Sequence, residues 1–212
     1  MKKLGIILIL TAFTFQGCMS TKFIATWKDP EYTGKEYKKL LVWALSDNVA
    51  ARSTVEDEVT YFMNLKGVNA ISGADILPYD RTTIPKDQKV VKQKLLDAGY
   101  SAVLTIGLID VKEETRYVQG TGYYNPMSFG YYGSFYGYYP HMYGSVYQPG
   151  YYSSNTVVYL ETNLWDVETG KLVWSAQSKS NEGSSVDKLA NSYARAVVSE
   201  LATKRLLLPT KK

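Results

Sequence analysis

Few side chains in this 212-residue chain are suited to covalent or acid–base chemistry: there is one cysteine, Cys18, and one histidine, His141. One cysteine excludes an internal disulfide and a paired-cysteine zinc site. One histidine excludes a multi-histidine metal centre and disfavours a nucleophile–histidine triad. His141 stands among tyrosines; its bland reading is a solvated loop residue, its sharper one a weak metal ligand or pH-sensitive contact. General acid–base catalysis needs carboxyl groups converging on one bond. Asp110, Glu113, Glu114, Glu161 and Asp166 are the acidic residues to consider, and their spacing pairs no two of them. No GxGxxG turn in strand–helix context and no P-loop occurs. The chemistry read from side chains alone therefore implies no cofactor, no metal and no enzyme.

Cys18 gains meaning from what precedes it. Lys2 and Lys3 are followed by a twelve-residue apolar run, Leu4 to Phe15. A bilayer-spanning helix needs about 20 residues, so the run reads as the hydrophobic core of a signal peptide over residues 1–17. Phe15-Gln16-Gly17-Cys18 resembles the lipobox of bacterial lipoproteins, with Phe15 and Gln16 departing from the commonest residues. The resemblance implies that the Cys18 thiol is acylated and becomes the mature N-terminus. Two or three acyl chains hold a protein on a membrane, at about 0.8 kcal/mol per buried CH₂. Met19 and Ser20 lack the aspartate of the enteric inner-membrane signal, which implies the outer membrane, and the absence of an acidic export run favours its periplasmic face. Loss of Lys2 and Lys3 takes the formal charge from +4 to +2 (4 − 2). Lysine and arginine form no long cluster, so nucleic acid is not an expected partner.

Tyrosine is the second chemical anomaly. Residues Tyr117–Tyr152 hold twelve of the nineteen tyrosines and seven of the sixteen glycines in 36 positions, with no Asp, Glu, Lys or Arg. Loops beyond about 12–15 residues are usually functional or disordered. Tyrosine offers amphipathic area with few rotors, and glycine keeps the backbone adaptable. Tyr123, Tyr124, Tyr131, Tyr132, Tyr136, Tyr138, Tyr139 and Tyr143 are the candidate interaction residues. As a free coil the segment would span about 30–36 Å. The readings are a loop with no specific partner, protein contact or self-association, glycan or peptidoglycan stacking, and insertion at a membrane interface. Stacking on nucleic-acid bases lacks a cation to draw phosphates. On this reading the segment is an appendage, and deleting it leaves the domain folded.

The elements that must position these residues are legible from periodicity. Lys22 to Trp27 allows a short strand in an otherwise tether-like stretch, 18–36. Tyr37 to Leu45 reads as a buried strand. Ser53 with Glu56 fits a capping box for a helix from Thr54 to Lys66, or starting a turn earlier, with Val55, Val59, Phe62 and Met63 on one face and Gly67 closing it. Val68 to Ile71 is a short strand, and Ile76-Leu77-Pro78 ends it or adds an extended piece. Pro85 suits the first turn of a second helix, with Val91, Leu95 and Ala98 inward and Gly99 at its end. Tyr100 to Val111 has the length and β-branching of a central strand.

Beyond the insert, Val157 to Val167 alternates, with Val158, Leu160 and Leu164 opposite Tyr159, Glu161, Asn163 and Trp165. A turn at Glu168-Thr169-Gly170-Lys171 returns it as a strand carrying Leu172, Trp174 and Ala176, which makes a hairpin. Ser184 with Asp187 opens a last helix lined by Val186, Ala190, Tyr193, Val197 and Leu201. The fold class is α/β: a mixed β-sheet packed with three α-helices in the order β-α-β-α-β-(insert)-β-β-α. Its boundaries are 37–207, with the insert at 117–152 and a tail at 208–212.

Two stretches carry a family look: Leu95 to Leu104 (LLDAGYSAVL), and Leu160 to Ser175 (LETNLWDVETGKLVWS). With the C-terminal helix, they resemble a group of uncharacterised bacterial envelope lipoproteins. More remotely they are similar to the N-terminal domain of TolB and the periplasmic domain of the curli secretion channel lipoprotein. The resemblance implies a fold and a role in envelope assembly, transport or protein interaction, with no catalytic residues to carry over. Asp166 and Gly170 are expected to shape the hairpin turn, and Trp174 to pack on the sheet. The resulting expectation is a membrane-anchored, periplasmic, non-catalytic binding or scaffolding module. An envelope hydrolase using the carboxylates is the alternative.

Overall fold

The computed structural model describes residues 21–76, 87–113, 133–138, 156–181 and 185–207. The signal segment, Cys18, Leu77-Pro78, Pro85, Glu114, His141, Ser184 and the tail lie outside the described residues, as do Tyr123, Tyr124, Tyr131, Tyr132, Tyr139 and Tyr143.

A six-stranded mixed sheet organises the described residues. Its strands are β1 (Thr21–Lys28), β2 (Leu40–Leu45), β3 (Ala70–Ser72), β4 (Ala102–Glu113), β5 (Thr156–Asp166) and β6 (Leu172–Asn181), in the spatial order β1-β6-β5-β4-β2-β3. β2 runs parallel to both β3 and β4. The β4-β5-β6-β1 portion is antiparallel. Parallel neighbours need crossovers, which are usually helical. α1 (Val49–Leu65) and α2 (Gln88–Asp97) lie in the two connections from β2 to β3 and from β3 to β4. The third helix, α3 (Val186–Thr203), follows β6.

Every residue of β2 is buried, as expected of a strand covered on both faces. Leu40, Val42 and Ala44 join Val59 and Met63 of α1 and Tyr193, Val197 and Leu201 of α3 in one core layer. Leu41, Trp43 and Leu45 face the other way, against Val91 and Leu95 of α2. The same division runs along β5. Leu160 and Leu164 enter the first layer and Trp165 the second, so the predicted alternation holds, with both faces covered.

Several local expectations need correction. α1 takes the earlier of its two expected starts, because Asn48, not Ser53, caps it by accepting from the Ala51 N–H at 3.0 Å. Glu56 therefore sits within the helix rather than in a capping box. Ala98 is exposed, having fallen at the C-cap of α2, and Val186 is exposed in the first turn of α3. The sheet also starts earlier than Tyr37. β1 is no tether but a full edge strand, paired with β6 from Thr21↔Ser180 to Lys28↔Trp174.

The largest correction concerns the insert. Residues 135–138 form a single helical turn docked on the sheet. Phe135, Tyr136 and Tyr138 belong to the second core layer with Trp43 and Trp165.

Candidate functional site

The docked turn shows how the tyrosine-rich segment is held. β4 and β5 separate at the pair Glu113↔Thr156, where the segment leaves the sheet. Its middle returns to the other end of the hairpin, where the Phe135 N–H donates to the Gly170 carbonyl at 2.9 Å and the Tyr136 hydroxyl to the Val167 carbonyl at 3.1 Å. An eleven-residue strand such as β5 is roughly 35 Å long. The described middle of the segment is thus fastened at the opposite end of β5 from the point where β4 and β5 part. This fastening divides the segment into two stretches of sequence, 114–134 and 139–155, called its arms below.

The fastening is well built. The Phe135 ring meets Trp165 edge-on at 5.9 Å and Trp43 at 6.3 Å, and Tyr138 lies 5.0 Å from Trp165. Gly170 accommodates it twice over. Its φ of +72° disfavours a side chain, and a Cβ there would stand 3.1 Å from the Tyr136 ring. Burial, then the nearby Asp166 charge, pushes the Tyr136 hydroxyl up to about 12.

Beneath the turn lies a buried carboxylate. Glu161 is wholly inaccessible and accepts from the Tyr138 hydroxyl at 2.7 Å and from Asn163 Nδ2 at 2.9 Å. A buried carboxylate is tolerated only where donors surround it. Tyr138 is one such donor, so its hydroxyl serves the core. Tyr136 and Tyr138 are thus removed from the set of candidate contact residues.

Asp110 and Asp166 have other partners. Asp110, half-buried, pairs with Lys112 at 3.3 Å. Asp166 lies at the far end of β5 from Thr156 and closes the hairpin turn, accepting from the Thr169 N–H at 2.8 Å and the Thr169 hydroxyl at 3.0 Å. Lys35 Nζ approaches Asp166 to 2.7 Å and Glu168 to 3.0 Å. Burial opposes the charge on Asp166, but Lys35 and Thr169 outweigh it and hold the carboxyl below its usual range. Burial likewise opposes the charge on Lys35, and the two carboxylates overcome it and raise its pKa. Trp174 is fully buried beside Phe23, as expected.

A shallow cavity of about 220 Å³ adjoins this cluster, lined by Asp29, Tyr32, Lys35, Tyr37, Asp166 and Lys171 among others. It holds Asp166 but neither Asp110 nor Glu161. The Tyr37 hydroxyl is buried there, and desolvation, then Tyr32 and Asp166, raise its pKa.

Sequence reasoning missed a third polar cluster. Arg52 and Glu56 are both buried, with Arg52 Nε donating to Glu56 Oε1 at 2.9 Å. Glu56 also accepts from the Ala44 N–H at 2.8 Å, from the Ser72 hydroxyl at 3.0 Å and from the Ala74 N–H. Burial pushes the Glu56 carboxyl up, against the pull of those N–H groups and Arg52. The available signal was spacing: Arg52, Glu56, Val59 and Met63 share one helical stripe. Among the described residues no group of His, Cys, Asp and Glu could hold a metal ion, and no helix is long and apolar enough to cross a membrane.

Fold and sites together define a class: a mixed-sheet α/β domain with helices on both faces and a tyrosine-rich segment pinned to one of them. No protein-family model and no curated protein matches the chain. Solved structures similar to it include a PelC dodecamer from Paraburkholderia phytofirmans, 17% identical over 85% of this chain and 96% of that one, with a TM-score of 0.46. Lipoprotein GNA1162 from Neisseria meningitidis is another, 16% identical over 78% of this chain and 98% of that one, with a TM-score of 0.40. Neither is a TolB domain or a curli channel lipoprotein.

Proposed function

We propose that this chain is a bacterial envelope lipoprotein, acylated at Cys18 and facing the periplasm from the outer membrane. Its α/β domain acts there as a non-catalytic binding or scaffolding module. The contact surface is the pair of tyrosine-rich arms, with Tyr123, Tyr124, Tyr131, Tyr132, Tyr139 and Tyr143 as contact residues. The partner is a protein or a second copy of this chain.

One observation carries the reading: the segment is fastened at 135–138 by core aromatics and at both ends by the β4–β5 pair. Pinning the segment at 135–138 divides it into shorter lengths of chain, and a shorter length between fixed points loses less entropy when its tyrosines make contact. Among the described carboxylates considered for catalysis, Asp110, Glu161 and Asp166 are spread among a surface ion pair, a buried core position and a turn, which supports a non-catalytic domain.

Mass spectrometry of membrane fractions is expected to show acyl chains on Cys18; a water-soluble product beginning elsewhere would sink the anchoring claim. Crosslinking in envelope extracts is expected to capture a protein partner. Serine replacements at the six arm tyrosines should abolish capture while leaving thermal unfolding unchanged. Capture unaffected by those replacements would dismiss the arms. Retention on peptidoglycan instead of a protein adduct would move the partner to a glycan.

A further inference from the structure

β1 is the terminal strand of the sheet, and its outer backbone edge has no strand partner among the described residues. Long edge strands with exposed apolar side chains seek a cover. On β1, Ile24 is 53% and Trp27 36% exposed, although Phe23 between them and Thr21 packs against the core. The register shifts between Phe23 and Ala25, so Ile24 bulges out of the ladder. Lys22 pairs across the strands with Lys179, and both are exposed. The edge therefore exposes two large apolar side chains, Ile24 and Trp27, near two adjacent cations.

Resting on the Cys18 anchor proposed above, we infer that this edge lies against the bilayer surface, with Ile24 and Trp27 entering the headgroup–acyl boundary and Lys22 and Lys179 facing lipid phosphates. The tether supports this occupant. Only Met19 and Ser20 separate Cys18 from the first residue of β1. Extended chain gains at most about 3.6 Å per residue, so Thr21 stays within roughly 11 Å of the acylated cysteine. No other described element is held so near the membrane by sequence. An indole with an apolar body and a polar N–H suits that boundary, and lysines beside it suit an anionic surface. The bulge and the paired lysines disfavour a second strand as the cover, because they interrupt the regular ladder it would need.

The fluorescence of the chain makes the inference testable. Of its four tryptophans, Trp43, Trp165 and Trp174 are buried, so Trp27 alone is open to a lipid quencher. The full-length acylated protein is reconstituted into vesicles of phosphatidylethanolamine and phosphatidylglycerol, with and without brominated acyl chains. The Trp27→Phe protein supplies the blank. The difference emission is expected to shift to the blue in vesicles and to be lost on bromination. Lys22→Gln with Lys179→Gln should weaken that loss in anionic vesicles. Trp27 emission indifferent to bromination, in protein whose Cys18 carries acyl chains by mass spectrometry, overturns the inference but leaves the anchor standing. Concentration-dependent shielding of Trp27 in detergent without quenching in vesicles overturns it too, and assigns the edge to a second copy. An unmodified Cys18 removes the anchor reading and this inference with it.

Discussion

The tightest demands at the residue scale fall on Arg52, Glu56 and Gly73. A Cβ at Gly73 would stand 2.9 Å from the Val42 carbonyl oxygen and 3.3 Å from both Glu56 carboxylate oxygens. No residue but glycine fits without moving β2 or the helix. Removing one member of a buried ion pair strands the other, at a cost of about 3–5 kcal/mol. Arg52→Ala is thus expected to lower stability by about that amount in urea unfolding, and Gly73→Ala by about 1–3 kcal/mol. A cost near zero for Arg52→Ala would mean that Glu56 is satisfied by the Ser72 hydroxyl and the backbone N–H groups of Ala44 and Ala74.

Asp166 and Lys35 give the residue scale its pH dependence. Asp166 has a lowered folded pKa, so its contribution is present above its ordinary value of 3.8 and is lost as pH falls through the folded value. Lys35 is raised, so its contribution is present below 10.5 and is lost as pH rises through the folded value. The pair is intact across neutral pH. Because the Lys35 side chain is 42% exposed, solvent screening limits the pair to about 1 kcal/mol or less. Asp166→Asn keeps an acceptor for Thr169 and loses the charge. Its stability deficit against the parent protein should be steady near neutrality and should narrow as pH drops below about 4. A deficit independent of pH would locate the role of Asp166 in turn geometry instead.

At the scale of elements, the tyrosine-rich segment changes character. Composition marked it as an appendage, because glycine, tyrosine and missing charge are the marks of a loop that cannot form a core alone. What composition cannot register is a partner surface supplied by distant strands. Trp43 lies on β2 and Trp165 on β5, and only the assembled sheet brings them together to receive Phe135. Deleting 117–152 would uncover both and take a donor from Glu161, so the deletion is now expected to lower the melting temperature substantially. Phe135→Ala should cost about 3–5 kcal/mol, and Tyr138→Phe about 1–3 kcal/mol, through the loss of a donor to a buried carboxylate. Undiminished thermal stability in both variants would return the turn to the status of a surface loop. The other elements were legible because their signals are local. The strand alternation in β5, the Asp166–Gly170 turn and the apolar stripe of α3 each lie within a short window. The cap of α1 is misread for the same reason, although the earlier of its two expected starts holds. Ser53-x-x-Glu56 has the local form of a cap, and only the tertiary position of Ala44, Ser72 and Ala74 shows that Glu56 points into the core.

At the scale of the whole molecule, the question is where the folded unit begins. Sequence patterning placed that start at Tyr37 and left 18–36 mostly as tether, since an eight-residue strand with exposed positions has a weak periodic signal. In the assembled sheet β1 completes the antiparallel half. The Thr21 hydroxyl bonds Ser180 at 2.7 Å, Phe23 meets Trp174 edge-on at 6.5 Å, and the Asp29 N–H donates to the Val173 carbonyl at 2.9 Å. Lys28 Nζ caps the end of α3 at the Lys204 carbonyl, so β1 ties the sheet edge to the last helix. Without β1, Trp174 and the β6 backbone would face water on that side, and β6 would become an unprotected edge prone to pairing with other chains. A chain beginning at Thr21 is therefore expected to unfold cooperatively and remain monodisperse. One beginning at Tyr37 should lose cooperativity or aggregate, as read by calorimetry and light scattering. Equal melting temperatures for the two would show that the strand is dispensable and that a long leash separates Cys18 from the stable part of the domain. Unequal ones would mean that the folded unit starts at the third residue after Cys18, so that the acyl anchor proposed for that cysteine would leave the domain almost no freedom to leave a membrane surface.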